Sequence, residues 1–151
     1  MHTIANFDNL SLAEMEKLAA RTAKILRGGD FAALYGDLGA GKSTFCRFLL
    51  RAMGVIEDIP SPTFTIVQNY DLAAITVWHC DLYRIQSPGE ILQLGIIEPD
   101  QTAIRLIEWP EKMGRYLPDA ALHLTLGFTA DDNARSLTIS GQGDWPKRFS
   151  T

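Results

Sequence analysis

Residues 36 to 44 have the sequence Gly36-Asp37-Leu38-Gly39-Ala40-Gly41-Lys42-Ser43-Thr44. This segment meets the spacing of a P-loop in full, because four residues separate its first glycine from a Gly-Lys-Ser triplet. Glycine at positions 36, 39 and 41 allows backbone dihedral angles and a close approach to a ligand that a Cβ atom would block. The exposed amides, with a helix N-terminus behind them, can then form a nest for a polyphosphate. The segment therefore predicts a site for a nucleoside triphosphate.

Three side chains of this loop have separate predicted roles. Lys42 can reach the β- and γ-phosphates as a point charge, and Thr44 can bond the α-phosphate. The Ser43 hydroxyl is placed to ligate Mg²⁺, which prefers oxygen ligands. The backbone of residues 36–44 supplies the remaining predicted contacts with the nucleotide.

The segments on either side of the loop fit the strand and the helix that a P-loop connects. Residues 31–35 are Phe-Ala-Ala-Leu-Tyr, a nearly all-apolar run bounded by glycines, which is typical of a strand buried on both faces of a parallel sheet. After the loop, Phe45, Phe48, Leu49 and Met53 predict an amphipathic helix that stops at Gly54. A chance glycine-rich turn with an incidental lysine would lack this context.

The rest of the chain predicts an α/β fold. A first helix runs from Ser11, which forms a capping box with Glu14, to Gly28-Gly29. Downstream patterns predict a hairpin (63–70 and 75–80), a short helix (87–94), a strand (103–107) and a final strand pair (121–128 and 135–140). The tail after Gly141 has no assignment. We expect one P-loop NTPase-like three-layer domain over residues 1–151, with a mostly parallel central sheet and added antiparallel strands.

Two acidic residues end apolar strands in this pattern. Glu108 closes the run at 103–107, and Asp81 closes the run at 77–80. An α/β sheet presents its ligand crevice at the carboxyl ends of its strands, and a P-loop needs an acid on a neighbouring strand to hold Mg²⁺. Each carboxylate alone could equally be a solvated strand end. Beside a P-loop, we expect Glu108 to act at the metal and Asp81 to act near it.

Composition excludes several classes of function. The chain has 46% hydrophobic and 21% charged residues and a formal net charge of −4, with mixed signs along its length. This balance argues against autonomous binding to RNA, DNA or an anionic membrane, although contact with RNA inside an assembly stays open. Cys46 and Cys80 lie in apolar segments and suit a reducing compartment. The first residues do not fit a signal peptide and no run is long enough to span a membrane, so the expected location is cytoplasmic.

Four motifs together resemble the TsaE (YjeE) family. They are the P-loop, Ser61-Pro62-Thr63-Phe64, His79-Cys80-Asp81-Leu82-Tyr83-Arg84, and Leu106-Ile107-Glu108-Trp109-Pro110-Glu111, in family order and spacing. The resemblance implies an ATPase, with ATP and Mg²⁺ as ligands, that is needed for threonylcarbamoylation of adenosine 37 in tRNAs. It implies TsaD, which transfers the group, and TsaB as partners, so that tRNA is met only through the complex, with no membrane or DNA partner. ATP hydrolysis is expected to be slow without partners.

The resemblance also assigns roles to single residues. It places the metal ligands on Ser43 and Glu108, the phosphate contacts on Gly39 to Thr44, and the motif aspartate on Asp81. Adenine contacts would fall on Ser11 and Arg135, although Ser11 could be only a helix cap and Arg135 a solvated turn residue. The loop at 61–64 sits where a switch would sit, so we expect Thr63 to sense the γ-phosphate or Mg²⁺. The alternative for Thr63 is a capping role in a proline-rigidified loop.

Three other classes of protein compete with this hypothesis. A P-loop small-molecule kinase usually has an arginine-rich lid, whereas Arg84, Arg105 and Arg115 are scattered here. A guanine-specific switch normally carries an Asn-Lys-x-Asp run, which this sequence lacks. A pure ATP-binding scaffold differs from the ATPase mainly in rate. A zinc site at His79-Cys80 is not indicated, because no second pair of ligands stands at zinc spacing.

Overall fold

The computed structural model describes residues 2–63 and 65–150, so Phe64 of the Ser-Pro-Thr-Phe motif and both terminal residues lie outside the described part. The strands are β1 (His2–Ser11), β2 (Phe31–Tyr35), β3 (Val67–Asp71), β4 (Thr76–Asp81), β5 (Ala103–Glu108), β6 (Leu122–Phe128) and β7 (Ala134–Gly141). The helices are α1 (Leu12–Ile25), α2 (Lys42–Met53), α3 (Ile91–Leu94) and α4 (Trp145–Phe149). Two 3₁₀ segments cover Pro88–Glu90 and Pro110–Tyr116.

The seven strands form one sheet in the order β1-β7-β6-β2-β5-β4-β3. Its middle is parallel, because β2 pairs in parallel with both β5 and β6, and β4 pairs in parallel with β5. The outer pairs β3–β4, β6–β7 and β1–β7 are antiparallel. The expected α/β fold with a mostly parallel centre and antiparallel additions is confirmed.

Two apolar cores cover the faces of the sheet and give three layers. On one face α1, α2 and α4 pack through residues such as Met15, Phe45 and Trp145. On the other face lie α3 and the 3₁₀ segment Pro110–Tyr116, which contribute Ile91 and Met113. Within the described residues no helix is both long and apolar enough to cross a bilayer.

The sheet register brings the strand-end acids to the P-loop. Leu34 of β2 lies opposite Glu108 of β5, and Glu108 in turn lies opposite Asp81 of β4. The P-loop leaves β2 directly after this level, since Gly36 follows Tyr35. Parallel strands present their carboxyl ends at one edge of a sheet, so three neighbouring strands converge on a single crevice.

Three features differ from the sequence prediction. β1 was not predicted. It pairs with β7, which lies near the other end of the sequence. The extended stretch expected from Thr63 is wrong at its start, because β3 begins at Val67 and Ile66 has a left-handed φ of 68°. The unassigned tail is ordered around Trp145, which is buried and donates from Nε1 to the Ala120 carbonyl at 2.6 Å. Neither β1 nor the tail has a periodic apolar pattern that would predict its structure.

Candidate nucleotide-binding site

The P-loop needs glycine at positions where the backbone is left-handed or closely packed. Gly41, the N-cap of α2, has a φ of 106°, a value that residues with a Cβ rarely adopt. A Cβ on Gly36 would lie 2.8 Å from the carbonyl oxygen of Leu126 on β6. The loop therefore folds over the end of β2 and delivers the N-terminus of α2 to the crevice, as the sequence pattern predicts.

Lys42 lies across the loop with its charge enclosed. Its side chain is 5% exposed, and Nζ donates to the carbonyl oxygens of Gly36 and of Asp37, the latter at 3.0 Å. The ammonium also stands 4.3 Å from the centroid of the Trp109 ring, a cation–π contact. Lys42 therefore rests on two carbonyls and an aromatic face at the position expected for a phosphate contact.

Ser43 and Glu108 meet as the sequence predicts. The Ser43 hydroxyl lies 2.9 Å from Oε1 and 3.0 Å from Oε2 of Glu108, which is 2% exposed. His79 of β4 adds a third contact, since its Nε2 stands 2.6 Å from Oε2 of Glu108. A hydroxyl and a carboxylate thus converge beside the loop, and a hydrogen bond with the imidazole fixes the position of the carboxylate. This oxygen-rich pair suits a hard cation such as Mg²⁺.

Asp81 lies next to this pair and bonds the loop that was predicted to switch. Its Oδ2 accepts from the Thr63 hydroxyl at 3.1 Å, and its Oδ1 accepts from the backbone amide of Tyr83 at 3.0 Å. The Thr63 hydroxyl is also 2.8 Å from that of Ser61. One carboxylate therefore ties the residue-61–63 loop to the end of β4.

Two clefts meet at the P-loop. One, of about 210 Å³, is lined by the loop backbone together with Ser43, Thr63, Asp81, Glu108 and Trp109. The other, of about 330 Å³, is lined mainly by apolar residues near the start of α1 and by the turn before β7. Both include Gly39, Gly41 and Thr44. The loop therefore separates a cleft that contains the predicted metal ligands from a larger cleft with a more apolar lining.

The two residues expected to contact adenine differ in their position relative to the larger cleft. Arg135 lines the larger cleft, donates to the Gly39 carbonyl at 3.3 Å and stacks on Phe128 at 4.9 Å. Ser11 is the N-cap of α1, where its hydroxyl accepts from the Glu14 amide at 3.2 Å. Its neighbours Leu10 and Leu12 line that cleft. Arg135 therefore stands within the candidate base site, whereas Ser11 is engaged in capping at its border.

Two loop residues take different positions. Leu38 is 65% exposed and lines the smaller cleft. Ala40 buries its side chain in the core, and its amide donates to the Asp37 carbonyl at 3.0 Å. The amide of Ala40 is therefore used inside the loop rather than toward the cleft.

Three side chains were missed as parts of this site. Trp109 was quoted only as part of a motif, yet its ring faces Lys42 and its backbone is left-handed with a φ of 58°. His79 was set aside with Cys80, but adjacent strand residues face opposite sides of a sheet, and only His79 faces Glu108. Cys46 of α2 lies on that same side. The alternation of side chains along a strand could have predicted that His79 and Cys80 face opposite sides of the sheet. The position of Cys46 depends on how α2 packs against the sheet, and it could not have been deduced.

Comparisons with known proteins identify relatives of this chain. A family model described as "Threonylcarbamoyl adenosine biosynthesis protein TsaE" matches residues 10–137. A TsaE protein from Rickettsia bellii is 38% identical over 120 residues, covering 79% of this chain and 83% of that protein. The TsaE protein of Bacillus subtilis is 33% identical over 131 residues, covering 87% and 82%. Both relatives are named tRNA threonylcarbamoyladenosine biosynthesis proteins.

A solved structure is also similar over nearly the whole chain. The crystal structure of YdiB from Bacillus subtilis superposes with a TM-score of 0.77 at 25% identity, covering 99% of this chain and 95% of that one. The family match spans the P-loop, both strand-end acids and Arg135. The chain belongs to the TsaE family of threonylcarbamoyl adenosine biosynthesis proteins.

Proposed function

We propose that this chain binds ATP with Mg²⁺ and hydrolyses it slowly, in support of threonylcarbamoylation of adenosine 37 in tRNA. It acts in the cytoplasm with TsaD, which transfers the group, and with TsaB, and it meets tRNA through that complex. The names of its relatives support the pathway. The site geometry supports the nucleotide chemistry.

The convergence of Ser43 and Glu108 carries the proposal. Their oxygens lie 2.9 and 3.0 Å apart beside the P-loop, and the sheet register places Glu108 opposite the end of β2. We infer that both would hold Mg²⁺, which when bound neutralises phosphate charge and polarises the phosphoryl oxygens. Glu108 is kept in place by His79, so the carboxylate needs little reorganisation to serve the metal.

Lys42 supplies the matching positive charge. In the structure its ammonium is held by two backbone carbonyls and Trp109. We propose that Lys42 exchanges these partners for the β- and γ-phosphate oxygens, which are stronger acceptors because they are charged. The loop amides and the N-terminus of α2 complete the phosphate site.

Asp81 and Thr63 would couple the nucleotide to a partner surface. Thr63 donates to Asp81 at 3.1 Å and lines the same cleft as Glu108. We propose that Thr63 leaves Asp81 for the γ-phosphate or the metal, which reshapes the loop at 61–63. A Thr63→Ala protein should then keep its fold and lose partner-stimulated turnover, and normal stimulated turnover would rule this role out.

The position of Arg105 argues against a role in the arginine-rich lid of a kinase. Arg105 is 2% exposed, and its guanidinium donates to the carbonyls of Glu98 and of Asp100, the latter at 3.2 Å. It lies between the rings of Phe31 and Trp78, at 4.9 and 5.7 Å. Arg105 is therefore committed to the loop before β5 and would not close over phosphates at the other end of that strand.

One experiment tests the proposed function. ATP and GTP turnover are measured with Mg²⁺, first with the chain alone and then with the TsaD–TsaB pair added. We expect slow ATP turnover that the pair stimulates and that GTP does not replace. Phosphoryl transfer to a metabolite would favour the kinase, and ATP binding with no turnover under any condition would leave only a nucleotide-dependent scaffold.

A further inference from the structure

A buried cluster of three different ligand types lies behind the Mg²⁺ position. It consists of Cys46 from α2, His79 from β4 and Glu108 from β5, and one ligand atom from each lies within 4.8 Å of the other two. The three side chains are 0%, 0% and 2% exposed. Neither the phosphate contacts nor the proposed hydrolysis uses the Cys46 thiol.

The fold builds this cluster from two periodicities. On β4, His79 faces α2 while its neighbour Cys80 packs into the opposite core. On α2, Cys46 stands three residues after Ser43, so both side chains lie on the helix face that meets Glu108. Ser43 therefore adds a hydroxyl oxygen to the same side of the cluster.

The donor set is that of a thiophilic cation. Thiolate, imidazole and carboxylate are the ligands that Zn²⁺ takes in proteins, at about 2.0–2.3 Å, which places neighbouring ligand atoms about 3.3–3.6 Å apart in a tetrahedral site. The ligand atoms here lie within 4.8 Å of one another, and His79 Nε2 lies 2.6 Å from Glu108 Oε2, so side-chain rotation must open that pair and close the wider ones to reach the tetrahedral spacing. Among the described residues the Nδ1 of His79 has no hydrogen-bond partner, so its ring is held from one side only.

We propose that Cys46, His79 and Glu108 form a site for a thiophilic divalent cation of the Zn²⁺ class, with the Ser43 hydroxyl or water as fourth ligand. The cation enters through the cleft that Ser43 and Glu108 line, and the Cys46 proton leaves to solvent. The His79 proton moves from Nε2 to the unpartnered Nδ1, which leaves Nε2 to bind the cation. Because Glu108 is shared, a cation held here withdraws that carboxylate from Mg²⁺. The resulting inhibition of ATP hydrolysis rests on the proposed function; the binding site does not.

Because the two cations share Glu108, Mg²⁺ competes with this site, but weakly, since it selects oxygen ligands and gains nothing from the thiolate. A chelator selective for Zn²⁺ should relieve the inhibition. A cation bound only to the phosphates of ATP would instead inhibit the wild type and the Cys46 variants equally.

Cobalt spectroscopy tests the site without reference to activity. Co²⁺ is titrated into the intact wild-type chain, Cys46→Ser and the matched control Cys80→Ser, which alters the other buried cysteine on the far side of the sheet. We expect a thiolate-to-cobalt charge-transfer band in the wild type and in Cys80→Ser, abolished by one equivalent of Zn²⁺, and no such band in Cys46→Ser. Cys46→Ala repeats the test if the serine variant unfolds.

The second arm measures the Zn²⁺ concentration that halves ATP turnover, each protein compared with its own rate without Zn²⁺. Loss of a residue that only orients a metal ligand lowers metal affinity roughly 10- to 100-fold. Loss of the Cys46 ligand should raise the inhibitory Zn²⁺ concentration by at least as much. Absence of the cobalt band in the wild type, or its persistence in both Cys46 variants, would overturn the site. A chain that shows the band but never hydrolyses ATP would keep the site and reject the proposed function.

Discussion

Replacing Glu108 with glutamine separates the charge of this residue from its place in the structure. The side chains have the same shape, so the amide oxygen of Glu108→Gln can accept from His79 while its NH₂ group donates to the Ser43 hydroxyl. All three native contacts, at 2.6, 2.9 and 3.0 Å, then keep a donor and an acceptor, because the Ser43 hydroxyl can also donate to the amide oxygen. What is lost is the negative charge.

The expected magnitudes differ sharply for folding and for catalysis. Since no hydrogen bond disappears, the free energy of unfolding should change by less than about 1 kcal/mol, because weaker bonds are offset by removal of a buried charge. Hydrolysis should fall by about 10²- to 10³-fold, the usual cost of removing one preorganised electrostatic group from an active site. Glu108→Ala, by contrast, leaves Nε2 of the buried His79 without its partner, at about 1–3 kcal/mol, and removes the partner of the half-buried Ser43 hydroxyl as well.

The assay pairs urea unfolding with ATP turnover at saturating Mg²⁺ for wild type, Glu108→Gln and Glu108→Ala. We expect the glutamine protein to unfold at nearly the wild-type urea concentration and to hydrolyse ATP poorly, and the alanine protein to lose both. A glutamine protein with near-native turnover would show that Glu108 is not a metal ligand. One that is as unstable as the alanine protein would show that its charge is structural.

Three further predictions concern the loop, the tail and the thiols. Lys42→Ala should abolish the heat of Mg-ATP binding in calorimetry while the protein stays folded, and retained binding would contradict the phosphate role of Lys42. Trp145→Ala should lower the free energy of unfolding by about 3–5 kcal/mol in urea, because it empties a buried ring site, whereas a loss below about 1 kcal/mol would mean that α4 is dispensable. Burial raises the pKa of the Cys46 and Cys80 thiols, so at pH 8 a disulfide reagent should label them only as fast as the protein unfolds, and rapid labelling in buffer would refute their burial.

Local signals in the sequence were sufficient to predict the local structure around the candidate phosphate site. The loop glycines, the capping box of Ser11 with Glu14, and the apolar run of β2 each depend on neighbouring residues only. Glu108 and Asp81 could be placed together because parallel strands share a carboxyl edge, and their opposition in the register confirms this. Chemistry that a motif and one sheet edge bring together can therefore be deduced without coordinates.

Contacts between distant segments could not be deduced. β1 pairs with β7, and Trp145 bonds Ala120, through partners that no local pattern identifies. The strand through which His79 reaches Glu108 is recognisable, yet the approach of Cys46 depends on how α2 packs against the sheet. Helix packing is decided by many small side-chain contacts, which a single sequence does not disclose.

Under the proposed function, nucleotide affinity is a difference between two sets of partners for the Lys42 ammonium. Carbonyl oxygens of residues 36 and 37 and an indole ring already satisfy the ammonium before any ligand arrives. A ligand that ends at its α-phosphate has no β- or γ-phosphate oxygens to replace those partners, so Lys42 would keep them. Under the proposed function, Lys42 therefore discriminates against adenosine monophosphate, which has no phosphate to replace those partners.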